Sequence, residues 1–113
     1  MPVSVLKSAE LPWDAIANEL VGDDHGLGVC LIFVDAEPGR GPAPHRHPYE
    51  EVLVVLEGRA TLDDGEQQID VGAGDVMLIP ANQPHGFVNS GDGPLRQLDI
   101  HVSPRFVTEW LDE

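Results

Sequence analysis

The sequence has a single cysteine, Cys30. No disulfide can form within the chain, and the residue reads as a small apolar core member. That fits a reducing, cytoplasmic location. Positive charge is also scarce: 6 Lys and Arg stand against 20 Asp and Glu, a formal net charge of −14. Such a field repels phosphate backbones and anionic headgroups, so no nucleic acid and no membrane surface is expected as partner. It favours solubility and attracts cations, and its ordinary reading is a well-solvated acidic surface. No apolar run approaches the roughly 20 residues that span a bilayer. The first residues, Met1 to Lys7, lack a basic segment followed by a long apolar one, so no signal peptide is expected.

Turn formers are abundant where aromatics (5%) are not: 12 Gly and 10 Pro punctuate many short apolar runs. This pattern points to an all-β domain rather than disorder. The 113 residues suit one domain, 1–113. Strands are expected at Val3–Leu6, Gly28–Asp35, the apolar run Val52–Leu56, Arg59–Leu62, Gln67–Val71, Val76–Pro80, His85–Asn89 and Leu95–Val102. Asp63 to Glu66 supplies a hairpin turn, with Asp-Gly as its signal. Trp13 to Leu20 allows either a short helical turn or an irregular lead into a strand. Gly22 to Gly26 reads as a turn that leaves His25 solvated. Gly28–Asp35 is apolar on both faces, so a second cover is expected outside the barrel; a partner subunit supplies it in a homodimer. Near the end, Ser103 can cap a helix and Pro104 suits its first position. Phe106, Val107, Trp110 and Leu111 fall at helical spacing, which predicts a short helix from Pro104 to Leu111.

One stretch carries chemistry. His45 and His47 are two residues apart, and Glu51 lies four beyond His47. On an unbroken strand all three point to one face. Arg46 and Glu50 then point away from it. His85 comes from a second cluster, Gly74 to Asn89. The four side chains read as the ligands of one metal ion inside a β-barrel. Imidazole suits Zn, Fe, Ni and Cu, and one carboxylate admits Mn or Fe. Four protein ligands around an octahedral ion leave two positions open, which separates a catalytic metal from a closed structural one.

Both clusters resemble the two motifs of the cupin family. Its first motif is Gly, five residues, His-x-His, three or four residues, Glu, six residues, Gly; Gly39, His45, His47, Glu51 and Gly58 match it. Its second is Gly, five residues, Pro-x-Gly, two residues, His, three residues, Asn; Gly74, Pro80, His85 and Asn89 match it. Asn82 stands where the family usually has Gly, and Asn tolerates left-handed backbone well. With the short stretch between them, the motifs cover about half the chain and resemble those of small single-domain microbial cupins. The resemblance implies a double-stranded β-helix (jelly-roll) barrel, often dimeric. It implies a divalent transition metal ion (Mn, Fe, Ni, Zn or Cu) on His45, His47, Glu51 and His85.

The resemblance further implies a metal-dependent enzyme on a small organic substrate, with dioxygenase-like, isomerase-like, decarboxylase-like or cyclase-like chemistry. The metal would act as Lewis acid or pass electrons to dioxygen. The alternatives are a non-enzymatic module that binds a small molecule or metal, and a dimer braced by a structural metal. Leu53, Val55 and Phe87 share parity with the ligands and read as cavity lining or as plain core. His101 shares a face with Gln97 and Asp99. If that face looks inward, His101 is the one candidate catalytic acid or base; if outward, the three are solvated polar residues.

Overall fold

Alternation along one strand sets the architecture. Glu51, Leu53 and Val55 are buried, while Val52, Val54 and Leu56 turn outward and are half-buried or exposed. The computed structural model describes residues 2–111, and its strands follow this two-residue period. In chain order they are β1 (Trp13–Asp14), β2 (Ala17–Leu20), β3 (Cys30–Ala36), β4 (His45–Arg46), β5 (Glu51–Glu57), β6 (Arg59–Asp63), β7 (Gln68–Gly72), β8 (Val76–Ile79), β9 (Gly86–Asn89), β10 (Leu95–His101) and β11 (Glu109–Trp110). A six-stranded sheet runs β1-β2-β3-β10-β5-β8, a three-stranded sheet runs β7-β6-β9, and β4 pairs with β11. All neighbours are antiparallel. The fold is the all-β jelly-roll barrel expected from the sequence. Among the described residues no helix is long and apolar enough to cross a membrane.

The core lies between the large and the three-stranded sheet. Leu53, Val55 and Leu95 come from the first, Ala60, Leu62, Val71 and Phe87 from the second, and all are buried. The chain changes sheets at Gly58. Its φ is +92°, and a Cβ there would collide with the Pro94 carbonyl oxygen, so only glycine fits this corner. The β6–β7 hairpin closes as its Asp-Gly signal predicts. Asp63 Oδ1 accepts from the Gly65 N–H at 2.8 Å, and Asp64 Oδ1 accepts from the Glu66 and Gln67 N–H groups, both at 2.9 Å.

Four expectations are corrected. Val3–Leu6 forms no strand; its side chains are exposed, so burial does not fix them. Trp13 to Leu20 is neither a helical turn nor an irregular lead into a strand but two short strands, β1 and β2, hinged at Ala15 with φ +56°. The first motif is not one unbroken strand: β4 ends at Arg46, and β5 begins at Glu51 in a different sheet. The helix from Pro104 to Leu111 does not form. Its backbone is committed elsewhere: the Pro104 carbonyl accepts from the Asp23 N–H at 2.7 Å, the Leu111 N–H donates to the Pro44 carbonyl at 3.1 Å, and Glu109–Trp110 pairs with β4. Ser103 does not cap a helix; its hydroxyl donates to the Arg105 carbonyl at 2.7 Å.

Candidate metal centre

Glu51 opens β5 and is brought beside His101 at the end of β10, because the two are direct register partners. His45 lies on β4, and its backbone exchanges two hydrogen bonds of 2.9 Å with that of His85, which delivers His85 next to it. His47 follows after Arg46, and its carbonyl accepts from the Asn82 N–H at 2.6 Å. Asn82 has φ +68°, the left-handed backbone anticipated for it. His45, His47, Glu51 and His85 are all buried, and their ligand-type atoms lie within 4.8 Å of one another. Arg46 and Glu50 turn away, and Arg46 meets Glu109 in a bidentate pair at 2.8 and 3.2 Å on the surface.

The ring protons of the three histidines can be assigned. His45 Nδ1 lies 2.8 Å from the Ala43 carbonyl, His47 Nδ1 2.9 Å from the Val107 carbonyl, and His85 Nδ1 2.9 Å from the Gln83 carbonyl. A carbonyl only accepts, so each Nδ1 carries the proton and each Nε2 keeps a lone pair. The lone pairs converge on a carboxylate. His85 Nε2 is 3.0 Å and His47 Nε2 3.3 Å from Glu51 Oε1, and His47 Nε2 is buried without a hydrogen bond. Lone pairs crowded against an anionic oxygen repel unless a cation sits among them. Three fixed imidazoles and one carboxylate are a donor set that fits a divalent transition metal ion.

The electrostatics follow from the packing. Burial pushes His45 down to about 4, against the pull of the Ala43 carbonyl. Burial lowers His85 too, but the Glu51 contact and the Gln83 carbonyl outweigh it and raise the ring. Burial would raise Glu51, yet the hydrogen bond from His101, with the His47 and His85 rings close by, holds its carboxyl far below the usual range. Glu51 is therefore a fixed anion.

His101 faces inward, with Gln97 and Asp99, and all three are buried. Its Nε2 is 3.1 Å from Glu51 Oε2, so Nε2–H donates there. Its Nδ1 then accepts from the Tyr49 hydroxyl at 2.7 Å, and that hydroxyl accepts from the Val107 N–H at 3.3 Å. Tyr49 is pushed up to about 12, first by burial, so it stays a proton donor. Both nitrogens of His101 are thus engaged in orienting Glu51. Sequence reasoning did not find Tyr49, although its place between His47 and Glu51 was a signal. It also did not find the roles of Phe106 and Trp110, which pack on His101 and His45 at ring-centroid distances of 5.0 Å.

The centre opens into a cavity of about 310 Å³, lined on its apolar side by Ile16, Ile32, Val34, Phe87, Phe106 and Trp110. Of the three apolar residues expected as lining, Phe87 lines it, whereas Leu53 and Val55 are plain core. Asp99 also lines it, and burial, with the Glu51 charge nearby, pushes its carboxyl well above the usual range.

Comparison with known proteins is consistent with this geometry. The Cupin domain family matches residues 32–101. Polyketide synthase CurC of Streptomyces cyaneus is 37% identical over 79 residues, which are 69% of this chain and 48% of that protein. The chain thus spans about half the length of that relative. Among solved structures, a cupin-like protein from Thermotoga maritima aligns with a TM-score of 0.75 at 27% identity, over 86% of this chain and 75% of that one. The E162A mutant of Bacillus subtilis oxalate decarboxylase aligns with a TM-score of 0.77 at 22% identity, over 91% of this chain and 30% of that one, a likeness of fold alone.

Proposed function

The chain belongs to the cupin domain family, and on that premise we propose that it is a metal-dependent enzyme acting on a small organic substrate. His45, His47, Glu51 and His85 are the ligands of one divalent transition metal ion, Mn, Fe, Ni, Zn or Cu. The observation that carries the reading is the set of three Nδ1–H bonds to backbone carbonyls, which aims three Nε2 lone pairs and Glu51 at one buried point. The bound metal supplies Lewis acidity, or electrons if it is redox-active. The chain's own residues do the rest. Tyr49 and His101 hold the Glu51 carboxylate in one orientation. Phe87, Phe106 and Trp110 shield the substrate from water. Oxidative, isomerising and cyclising chemistries are all open to such a site.

The test is an open coordination position. The protein loaded with Co²⁺ should change its visible spectrum when azide is added. A spectrum indifferent to azide would mean that protein groups fill the coordination sphere and the metal only braces the barrel. A second reading, a binding module without turnover, is favoured by one observation: His101 has both nitrogens engaged, so it offers no free imidazole base.

The homodimer belongs to this proposal. On the outer face of the large sheet, Leu31, Ile100, Val52 and Leu78 form one cross-strand row and Phe33, Leu98, Val54 and Val76 the next. Arg96, between Asp35 and Glu57, forms a charged edge to this apolar patch. A second copy stacked on it buries both. Leu78, 75% exposed, gives the test. Leu78→Asp should convert a dimer in sedimentation velocity to a monomer, and a wild type that sediments as a monomer would refute the dimer.

A further inference from the structure

The cavity has an unusual charge balance. Asp14, Glu19, Glu51 and Asp99 all line it, and among the described residues no Lys or Arg does. Glu51 is engaged by the histidines, but the other three carboxylates face no positive side chain there. Two of them share a row of the large sheet. Glu19 pairs with Ile32, and Ile32 pairs with Asp99. Two strand spacings put their backbones roughly 10 Å apart. Both side chains rise from the inner face, with Ile32 as an apolar floor between them.

Asp99 points most clearly to a ligand. It is 3% exposed, and among the described residues its one hydrogen bond is from the Gln97 amide to Oδ1, at 2.8 Å. Its other oxygen has no hydrogen bond among the described residues and belongs to a residue of the cavity wall. That oxygen is not sealed in the core but opens to the cavity, where only a ligand or solvent can meet it. Glu19 is raised as well, by burial first and then by Asp14, as expected where no cation is near.

We propose that the cavity takes a small organic cation, an amine with an apolar body, whose ammonium group sits over Ile32 between Asp99 and Glu19. An ammonium group has three donors and no acceptor, so it can bridge Glu19 and Asp99, and its charge favours the ionised Asp99 that burial alone disfavours. The apolar body lies against Phe87 and Phe106, and the far end reaches the metal centre. At about 30 Å³ per water, the cavity of about 310 Å³ has the volume of roughly ten waters, enough for a small aromatic amine. An anionic substrate, such as the oxalate named by the structural relative, would enter a cavity lined by acidic side chains, with no Lys or Arg among the described residues to receive it. The inference rests on the reading of this cavity as the substrate site.

The test uses three probes of one shape: phenethylammonium, 2-phenylethanol and phenylacetate. Each is titrated calorimetrically into metal-loaded and into chelator-treated protein. The ammonium probe should bind about tenfold or more tighter than the alcohol, a gap of roughly 1.4 kcal/mol, and phenylacetate weakest in the chelator-treated form. Glu19→Gln and Asp99→Asn should each reduce the advantage of the amine and leave the affinity for the alcohol unchanged. Glu19 is the half-exposed one of the two, so its variant keeps the test valid if Asp99→Asn misfolds. The proposal is overturned if phenylacetate binds best in both forms, if the preference survives Glu19→Gln, or if no probe binds. Failure to load metal would leave the preference of the chelator-treated protein intact, so the two readings fail separately.

Discussion

The two ends of the barrel are equally buried but are held by different forces. At one end Val55, Leu95, Ala60 and Leu62 meet with 5% exposure or less. Nothing directional holds them, only apolar area removed from water and close packing. At the other end His45, His47, Glu51, His85 and His101 are 6% exposed or less. There every imidazole is fixed through its Nδ1, three by backbone carbonyls and one by Tyr49. The apolar end is specified by volume and forgives swaps that conserve it. The polar end is specified by proton positions, so an isosteric change there can cost function while the fold stands.

The largest expected effect breaks the apolar side of this contrast. Leu53→Ala should destabilise the protein by about 2–5 kcal/mol in urea unfolding, because Leu53 is fully buried. Its metal content at low denaturant should not change; lost metal in a folded variant would show that the two ends are not separable. Next comes the orienting network. His101→Gln should weaken metal affinity by roughly 10- to 100-fold with the fold intact by circular dichroism. Unchanged affinity would remove His101 from the account. The smallest effect sharpens the comparison through pH. The folded Asp99 carboxyl is raised, so above the ordinary value near 4 the folded state holds a proton that the unfolded state has lost. Stability then falls as pH rises, by at most about 1.4 kcal/mol per unit. Asp99→Asn should flatten that slope in chelator-treated protein and raise stability at neutral pH. A slope as steep as in wild type would show that Asp99 is not its source.

The same contrast explains what could be read from the sequence. Gly39 to Gly58 and Gly74 to Asn89 were legible because fixed spacing, corner glycines and turn residues are local properties. The convergence of the four proposed ligands followed from them, even though β4 and β5 are separate strands. His101 was not legible, because β10 inverts the usual alternation. Its apolar Leu98 and Ile100 face outward, half-buried, and its polar Gln97, Asp99 and His101 face inward. A polar face normally signals solvent, so spacing alone could not decide. The segment 104–111 misled for a related reason. Phe106 and Trp110 sit at helical spacing, but what fixes them is packing on His101 and His45, which helix propensity does not register.

The most direct test of the metal centre is elemental analysis by inductively coupled plasma mass spectrometry. The protein should be purified without a metal-affinity tag, beside a His47→Ala/His85→Ala double variant. The account predicts about one equivalent of Mn, Fe, Ni, Cu or Zn in the wild type and none in the folded double variant. A wild type without metal, even after reconstitution with each ion, would contradict it.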